Sequence, residues 1–527
     1  MPVYALLPLR SVQCEDSGGR RVLLLMEANM RTFNQLAVSS SRNWSSHQQA
    51  VFDDVEHGQG HTVVLARAGS GKTTTILEGL RRVPSRAEIL MVAFNKSIER
   101  ELASRAPRGV EVRTLHSFGL RVLQKAYGKV DKDEDKVQRL IREKVGDVSL
   151  DQRLALCKGV ALAKYTLAQT PKEICDLIYR FELDVPEDEE KGFADLVLAL
   201  LDECARRPQV IDYDDMIWLP VRLGLRPRRY DRIFVDETQD LNRCQVELAL
   251  RACNPGGRVC AVGDDRQAIY SWRGADPRAV PRLIDRLNAK VLPLSVTYRC
   301  TRAIVKIANE IVPDLEAAPG AEEGTVLAVG EERMKREARP GDFILSRTNA
   351  PLVNLCLGFL AEGRPATVAG RDLASGLTTL IRKSRAGSVT ALCRWIDDWA
   401  EQEADRLERH GKDSGGPKDK AACLRRLAQG AKSVDEVVHT IDALFTDKDE
   451  RSQIVLSTTH RAKGLERDRV WVLEDTFRRN SVEEDNLWYV AVTRARRELH
   501  LVQTAAAAQA PAPSPAAPAA PPARSAA

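Results

Sequence analysis

A glycine-rich segment carries the residue types of a phosphate-binding loop. Residues 66–73 read Ala-Arg-Ala-Gly-Ser-Gly-Lys-Thr and follow the apolar run Val63-Val64-Leu65. The backbone N–H groups of such a loop converge on a phosphate, Lys72 reaches the β- and γ-phosphates, and the Thr73 hydroxyl can bind Mg²⁺. A helix that begins at Thr73 adds the positive end of its dipole. Because Ala66 stands where the usual pattern has its first glycine, the segment alone indicates a nucleotide phosphate without proving it.

An acidic pair follows a second apolar run, in Ile233-Phe234-Val235-Asp236-Glu237. Asp236 can hold Mg²⁺ through water, and Glu237 is placed to polarise an attacking water as a general base. A solvated pair of carboxylates at a strand end is the ordinary alternative. The combination with the upstream loop favours an ATPase.

A third polar stretch, residues 262–275, combines an amide with two aromatic side chains. Gln267 can sense the γ-phosphate from the end of a strand. Tyr270 and Trp272 lie two residues apart beside Arg273, which together offer rings for stacking on bases and a cation for a phosphate. Aromatic pairs more often belong to a core, but only 5% of this chain is aromatic and this pair lies in a polar segment. The composition favours a stacking role.

Short apolar runs, each followed by a polar turn, predict the elements that position these residues. Buried parallel strands have this pattern. The runs are 89–94, 232–235, 259–262, 291–294, 343–345, 454–457, 470–473 and 499–502. Helical periodicity separates them and dominates residues 125–204 and 373–449. We therefore expect an α/β protein with parallel sheets in two domains, each with a helical insertion.

Composition narrows the class of protein. A chain of 527 residues holds several domains, and a net charge of +5 from 79 basic and 74 acidic residues identifies no partner by itself. The eleven cysteines are scattered, which argues against a disulfide framework or an iron–sulfur cluster. With no apolar run near ~20 residues and no secretory signal pattern, we expect a cytoplasmic protein without a membrane partner.

The two ends of the chain differ from the rest. Residues 1–40 show no clear period and are treated as an N-terminal extension. From residue 504 to 527 the chain is mostly Ala and Pro, a composition that cannot bury a core. We expect a disordered tail there.

Six further segments, in chain order, resemble the motifs of superfamily 1 DNA helicases of the UvrD/Rep/PcrA type, and within that group the F-box DNA helicase branch. They are 45–50 (Ser-Ser-His-Gln-Gln-Ala), 92–96 (Val-Ala-Phe-Asn-Lys), 114–118 (Thr-Leu-His-Ser-Phe), 294–299 (Leu-Ser-Val-Thr-Tyr-Arg), 458–466 (Thr-Thr-His-Arg-Ala-Lys-Gly-Leu-Glu) and 488–495 (Trp-Tyr-Val-Ala-Val-Thr-Arg-Ala). The resemblance covers most of residues 45–502. Under this resemblance Ala66 does not argue against a phosphate-binding loop, because the helicase family tolerates Ala at this point of the loop.

The resemblance implies two RecA-like parallel-sheet P-loop domains. The first would comprise residues 41–124 and 205–290 with a helical insertion at 125–204. The second would comprise residues 291–372 and 450–503 with a short helical insertion at 373–449. ATP would then bind in the cleft between the two domains, and alternate closing and opening of that cleft would drive movement.

The resemblance also assigns site residues. Gln48 would contact the adenine edge, Tyr298 would stack on adenine, and Glu466 would face the ribose. Arg299 and Arg494 would be γ-phosphate fingers. The implied catalytic residues are Lys72, Asp236, Glu237, Gln267, Arg299 and Arg494; the ATP-binding residues are Gln48, Ala66, Arg67, Ala68, Gly69, Ser70, Gly71, Lys72, Thr73, Thr74, Tyr298 and Glu466; and the Mg²⁺ ligands are Thr73 and Asp236.

The implied activity is an ATP-dependent DNA helicase that moves 3′→5′ on single-stranded DNA in repair or recombination. Its expected partners are single-stranded DNA and DNA junctions, and it would act as a monomer or a DNA-induced dimer. The DNA contacts would be Phe94, Asn95, His116, Tyr270, Trp272, Thr459 and His460.

The second insertion is shorter than in the larger members of the family, which leaves alternatives open. One is a translocase that displaces proteins and unwinds weakly. Another is a helicase-like subunit of a repair or antiphage complex, in which the ATPase serves a protein partner. No fused nuclease domain is expected, because the Ala/Pro tail follows soon after the last motif.

Overall fold

The computed structural model describes residues 43–503, except 182, 184, 272, 273, 277, 410–413 and 447–451. The expected N-terminal extension, the Ala/Pro tail and the Trp272 contact therefore lie outside the described residues.

Seventeen strands occur in the residues that the structure describes. They are β1 (Thr62–Ala66), β2 (Ile89–Ala93), β3 (Val110–Thr114), β4 (Asp131–Lys132), β5 (Val210–Ile211), β6 (Tyr230–Val235), β7 (Cys253–Gly263), β8 (Lys290–Leu294), β9 (Val296–Thr297), β10 (Glu316–Ala317), β11 (Thr325–Gly330), β12 (Phe343–Ser346), β13 (Ala366–Ala369), β14 (Phe445–Thr446), β15 (Ile454–Thr458), β16 (Arg467–Leu473) and β17 (Ala495–Gln503).

Twenty α-helices, counted over the same described ranges, connect or extend these strands. They are α1 (Ser46–His57), α2 (Lys72–Arg82), α3 (Lys96–Arg105), α4 (Leu115–Tyr127), α5 (Lys136–Lys144), α6 (Leu150–Thr166), α7 (Pro171–Phe181), α8 (Glu190–Arg206), α9 (Asp215–Arg222), α10 (Arg243–Arg251), α11 (Ala279–Leu287), α12 (Arg302–Ala308), α13 (Glu331–Glu337), α14 (Ala350–Ala361), α15 (Arg371–Ser384), α16 (Val389–Arg409), α17 (Gly415–Ala428), α18 (Val434–Leu444), α19 (Thr459–Ala462) and α20 (Val482–Val492).

Thirteen of these strands form two large sheets, β4 with β5 and β9 with β10 form two-stranded sheets, and the described pairings are all parallel. The first sheet has the order β3-β2-β6-β7-β1-β8 and the second β11-β17-β16-β12-β15-β13-β14. The predicted α/β class with parallel sheets is confirmed. Because parallel strands end at the same edge of a sheet, the segments after β1, β6 and β7 lie close together at the edge of the first sheet.

Apolar side chains alternate between the two faces of each sheet. Val63 and Leu90 pack on one face of the first sheet, whereas their neighbours Val64 and Met91 pack on the other. In the second sheet Ile344 and Phe343 separate in the same way. This period of two buries both faces of each sheet and holds the strand ends at fixed positions.

Each sheet carries helices that extend its own core. In the first insertion, Leu140 of α5 and Leu156 of α6 belong to the apolar cluster that contains Val63 of β1. In the second, Leu377 of α15 and Leu424 of α17 belong to the cluster that contains Ile344 of β12. Neither helical group is a separate body with its own core.

The carboxylate of Asp419 in α17 fixes the second group of helices to the sheet. It accepts hydrogen bonds from the backbone N–H groups of Asn349, at 3.0 Å, and Ala350, at 2.7 Å. These donors lie at the first turn of α14, where an α-helix leaves its N–H groups without internal partners. The second insertion thus completes a helix of the sheet domain.

Two strands bear on the expected domain boundaries. β8, Lys290–Leu294, pairs with β1, so residue 290 begins a strand of the first sheet. β14, Phe445–Thr446, pairs with β13, so the end of the segment 373–449 contributes to the second sheet.

The described cysteines are all free thiols, in agreement with their scattered spacing. In the part of the chain that the structure describes, no helix combines the length and apolar character required to cross a membrane.

Candidate active site

The glycine-rich loop joins β1 to α2 and forms a cradle of backbone groups. Gly69 and Gly71 have φ angles of 73° and 80°, which favour glycine. A Cβ at Gly69 would lie 2.5 Å from Arg299 Cβ and from Thr297 Oγ1. Gly71 precedes α2 and supplies no side-chain cap, so the first N–H groups of that helix remain available to an anion.

Ser70 provides an independent indication that the cradle takes a ligand. Its hydroxyl is buried and has no hydrogen-bond partner among the described residues. Such an orphaned buried group costs free energy unless a ligand or water completes it. Its position between Gly69 and Gly71 fits a phosphate oxygen.

The cation of the loop is paired with the expected general base. Lys72 Nζ lies 2.8 Å from Glu237 Oε2. Burial alone would raise the pKa of Glu237, but the ammonium groups of Lys72 and Lys463 lower it below its ordinary value. Glu237 also adopts a φ of 50°, an uncommon conformation for a residue with a side chain, and strain of this kind clusters at functional sites.

Asp236 and Thr73 fit a magnesium ion. Asp236 is buried at the end of β6, where burial and then the neighbouring Glu237 carboxylate raise its pKa. Its Oδ1 accepts a hydrogen bond from the backbone N–H of Glu237 at 2.9 Å, which orients the carboxylate. Both residues supply the oxygen ligands that Mg²⁺ prefers, and it commonly completes its shell with phosphate oxygens and water.

Gln267 lies beside these residues but is bonded to a carboxylate. Its Nε2 donates to Asp264 Oδ2 at 2.7 Å. Its backbone carbonyl accepts a hydrogen bond from Lys463 Nζ at 2.7 Å, and the same ammonium is 2.7 Å from both oxygens of Asp240. Lys463 follows β15 of the second sheet, so it joins the two sheet domains at the site, a role that the sequence did not predict.

The two expected arginine fingers project from the second-sheet side. Arg299 Nε lies 2.5 Å from Glu466 Oε2, and its Nη1 donates to Thr493 O at 3.2 Å. Arg494, only 1% exposed, donates to Val490 O at 2.9 Å and to Leu465 O at 3.1 Å. Burial, and then the charge of Arg299, lower the pKa of Arg494 to about 9.

Arg494 is therefore a buried cation that an anion would stabilise. Within the described ranges no carboxylate forms an ion pair with its guanidinium. Glu466 pairs with Arg299, yet the charge of Arg299 still lowers the pKa of Arg494, so further negative charge in the cleft would stabilise both guanidinium groups. A phosphate group supplies that charge.

Residues from both sheet domains line one open cleft with a volume of about 700 Å³. Tyr298 is exposed at its side and donates its backbone N–H to Gly69 O at 2.9 Å. The residues predicted for the ATP site that line this cleft are Gly69, Ser70, Gly71, Lys72, Thr73, Thr74, Asp236, Glu237, Gln267, Tyr298, Arg299, Glu466 and Arg494. The structure thus brings together most of the predicted set.

Four predicted ATP contacts lie elsewhere. Ala66 is the buried last residue of β1, and Ala68 donates its backbone N–H to Tyr489 Oη at 2.9 Å. Gln48 caps α1 and donates its Nε2 to Thr75 Oγ1 at 3.1 Å, so its amide serves α1 and α2. The guanidinium of Arg67 faces carboxylates, so its side chain does not line the cleft and only its backbone could contribute to the phosphate loop.

A second cavity, of about 320 Å³, collects three of the residues predicted to contact DNA in the first domain. Phe94, His116 and Tyr270 line it together with Tyr213. The rings of His116 and Tyr213 are stacked, with centroids 3.9 Å apart and planes at 23°. Burial lowers the pKa of His116 to about 4, so this ring is neutral near pH 7.

Tyr213 is the residue at this surface that the sequence did not reveal. It is 57% exposed although it stacks on His116, so one face of the ring pair is available to a base. The available signal was an exposed aromatic residue within the acidic segment Asp212-Tyr213-Asp214-Asp215.

The remaining predicted DNA contacts lie in different places, two near the cavities and one in the interior. His460 lies near Tyr270, whose hydroxyl donates to His460 O at 2.9 Å. Asn95 lines the cleft, and its side chain accepts from the backbone N–H of Ile98 at 2.9 Å to cap α3. Thr459 is fully buried, so the structure does not place its side chain on the surface that the sequence predicted.

Two models of known protein families match this chain. A family model described as the UvrD/REP helicase N-terminal domain matches residues 46–287. A second, described as the UvrD-like helicase C-terminal domain, matches residues 453–502. The matched ranges contain the glycine-rich loop, the Asp236–Glu237 pair, Glu466 and Arg494.

Similar proteins include ATP-dependent DNA helicase Rep of Escherichia coli, 29% identical over 301 residues, which are 50% of this chain and 42% of that protein. They also include ATP-dependent DNA helicase PcrA of Bacillus subtilis, 28% identical over 290 residues, which are 49% of this chain and 38% of that protein. The similarity thus spans about half of the chain and less than half of each relative. The proposed resemblance to the F-box branch is not represented among these proteins and stays a prediction.

Proposed function

Because this chain belongs to the UvrD/Rep helicase family, we propose that it hydrolyses ATP in the cleft between its two sheets and uses the cycle to move along single-stranded DNA. The observation that carries the proposal is the distribution of charge across the cleft. Lys72, Glu237 and Gln267 stand on the side of the first sheet, and Arg299 and Arg494 stand on the side of the second. A phosphate bound in this cleft would therefore have residues of both domains around it.

Each group has a chemical role in phosphoryl transfer. Lys72 exchanges its bond with Glu237 for the β- and γ-phosphates, and Glu237 then orients and deprotonates the attacking water. Arg299 and Arg494 stabilise the charge that spreads over the transferred group. Such fingers contribute about 10³–10⁵ to the rate in related chemistry.

A magnesium ion belongs to the same proposal. Asp236 and Thr73 would hold it, and it would neutralise charge on the β- and γ-phosphates. Asp236 is prepared for this by its hydrogen bond from the N–H of Glu237, which fixes the direction of its carboxylate.

The nucleic-acid surface lies close enough to be coupled to the cleft. Tyr270 lines both cavities, and Lys463 Nζ stands 4.9 Å from the centre of its ring while it holds Asp240 and the carbonyl of Gln267. Domain motion that moves Lys463 therefore moves a contact of the stacking surface.

We assign 3′→5′ polarity, and a role in repair or recombination, from the family resemblance.

A translocase that displaces proteins and unwinds duplex weakly is the second candidate. It is favoured by the second insertion, which is shorter than in the larger members of the family and whose helices share one apolar cluster with the sheet. A role as an ATPase subunit with a protein partner, and a cytoplasmic location, rest on the sequence alone.

The decisive experiment measures ATP hydrolysis with single-stranded DNA, duplex, duplexes with a 3′ or 5′ tail, and RNA, in parallel with strand separation and displacement of a bound protein. We expect strong stimulation by single-stranded DNA and strand separation only from a 3′ tail. Hydrolysis indifferent to nucleic acid would contradict the proposal. Displacement without strand separation would select the second candidate.

A further inference from the structure

Arg67 belongs to the glycine-rich loop, but its side chain leaves it. The residue is 7% exposed. Its Nη1 lies 3.0 Å from Asp264 Oδ1 and 2.7 Å from Asp265 Oδ1, and its Nε lies 2.9 Å from Asp314 Oδ2. Burial would lower the pKa of this guanidinium, but the three carboxylates raise it above its ordinary value.

The three carboxylates come from different domains. Asp264 and Asp265 follow β7 of the first sheet. Asp314 follows α12, which packs on β11 and β17 of the second sheet. One guanidinium in the phosphate loop therefore bonds both domains.

The bond to Asp264 also reaches the expected γ-phosphate sensor. One oxygen of Asp264 accepts from Arg67, and the other accepts from Gln267 Nε2, at 2.7 Å, and from the hydroxyl of Tyr489, at 3.2 Å. Arg67 thus fixes the charge and orientation of the carboxylate that holds Gln267.

Further cross-domain contacts lie along the same edge. Asn486 of α20 donates to Ala268 O at 3.1 Å, and Tyr489 of the same helix accepts the N–H of Ala68. Ala68 and Ile269 from the first-sheet side pack into the apolar cluster of the second sheet. The edge beside Arg67 is consequently joined by both polar and apolar contacts.

We propose that Arg67 is a positioning residue that pins the phosphate-loop edge of the cleft to the second domain, so that the cleft opens by rotation about this edge. The planar fork of arginine suits the task because it meets several carboxylates at once, which a lysine ammonium cannot do in the same geometry. Only the kinetic consequences of this inference rest on the proposed ATPase; the restraint on domain motion does not.

The test separates the cross-domain bond from the rest of the cluster. Asp314→Asn removes the partner on the second domain and leaves Arg67 with Asp264 and Asp265. Asp314→Glu restores a carboxylate. The matched control is Glu310→Gln, because Glu310 makes an exposed ion pair with Arg479, 3.4 Å away, within the second domain.

Two measurements are made on the full chain. The first is the distribution of distances between fluorophores on non-canonical residues at exposed Arg81 and Arg333, one in each domain. The second is the KM and kcat for ATP. We expect Asp314→Asn to broaden the distances and raise KM about two- to fivefold with kcat unchanged, and Asp314→Glu to restore both.

Arg67→Lys provides a second variant that keeps the charge. Since it also disturbs Asp264 and therefore Gln267, we expect it to lower kcat as well as broaden the distances. The inference is overturned if the distances in Asp314→Asn match those in Glu310→Gln, or if Asp314→Glu fails to restore them. If the unmodified protein hydrolyses no ATP, the proposed function fails, and the distance measurement still decides this inference.

Discussion

Lys72 Nζ and Glu237 Oε2 lie 2.8 Å apart, so the cation of the phosphate cradle and the proposed general base form one ion pair. The two residues are 165 positions apart in the chain and meet because β1 and β6 end at the same edge of one sheet. A phosphate that enters the cradle competes with Glu237 for the ammonium. Release of the base is thereby linked to arrival of the substrate.

Glu237→Gln tests the base directly. We expect kcat for DNA-stimulated ATP hydrolysis to fall about 10²–10⁴-fold, because the amide cannot accept a proton from water. Binding of a fluorescent ATP analogue should be retained, since Lys72 loses its competing partner. Rapid hydrolysis by this variant would contradict the assignment.

Lys72→Ala should differ from Glu237→Gln in its effect on nucleotide binding. We expect it to weaken binding of the same analogue and to reduce hydrolysis below detection, because the principal cation of the cradle is lost. Arg81→Gln on the same helix α2 is the control, since Arg81 is exposed and pairs only with Glu78 among the described residues. Equal behaviour of the two variants would remove Lys72 from the site.

Arg494→Lys tests the finger on the second domain. It keeps a cation but loses the fork that reaches Val490 O and Leu465 O, and we expect kcat to fall about 10³-fold with a much smaller change in analogue affinity. Arg497→Gln, an exposed neighbour paired with Glu322 at 3.6 Å, serves as the control. A change confined to KM would show that Arg494 contributes to binding alone.

Tyr213→Ala tests the stacking surface. Loss of an aromatic platform costs about 1–3 kcal/mol per stacked base, so we expect the Kd for single-stranded DNA to rise about 5- to 100-fold. The matched control is Tyr179→Ala, because Tyr179 is 56% exposed on α7, away from the cavity, while Tyr213 is 57% exposed. Equal affinities in the two variants, measured by fluorescence anisotropy, would refute the role of Tyr213.

The pH dependence of DNA binding should report Asp214, which lines the same cavity. Burial raises the pKa of Asp214 from 3.8 to about 6, against the opposing charge of Lys164, and Tyr165 donates to its Oδ1 at 2.9 Å. His116, with a pKa of about 4, does not titrate near neutrality. Lowering the pH from about 7.5 to about 5.5 removes most of the negative charge of Asp214 and also of Asp240, which lines the same cavity and whose pKa burial raises to about 6. We therefore expect single-stranded DNA to bind about two- to fivefold more tightly.

Asp214→Asn is the control for that measurement, and it should reduce the pH dependence of the Kd to the part that Asp240 contributes. Stability provides a second check. Because the folded pKa of Asp214 lies above its unfolded value, the folded protein loses stability as the pH rises from about 4 to about 6. The Tm of the variant relative to the unmodified protein should therefore increase over this range. An unchanged difference would contradict the assignment.

Local patterns predicted the strands that are apolar throughout, such as β2 and β12. They did not predict β3, Val110–Thr114, because its Glu111 and Arg113 alternate with valines at the edge of the sheet. There Glu111 accepts a hydrogen bond from Tyr230 Oη at 2.8 Å, an interaction across 119 residues that no local pattern indicates.

The candidate site also contains residues that local sequence patterns predicted and contacts that they did not. The sequence placed Lys72, Asp236 and Glu237 because backbone geometry and strand ends determine their positions. It did not locate the partners of Lys463 or Arg67, since Asp240 is 223 residues from Lys463 and Asp314 is 247 residues from Arg67. A motif assigned Arg67 to phosphate, whereas tertiary contacts direct it to carboxylates.

The carboxylate of Asp419 bonded to the start of α14 has a consequence for how the second domain unfolds. The insertion helices complete both the apolar face of the sheet and the first turn of that helix. Amide protons of α14, β12 and α17 should therefore exchange with solvent in a single cooperative opening. Deletion of α17 should therefore destabilise the second sheet as well as the insertion, because the sheet would lose part of its apolar cover and α14 would lose its cap.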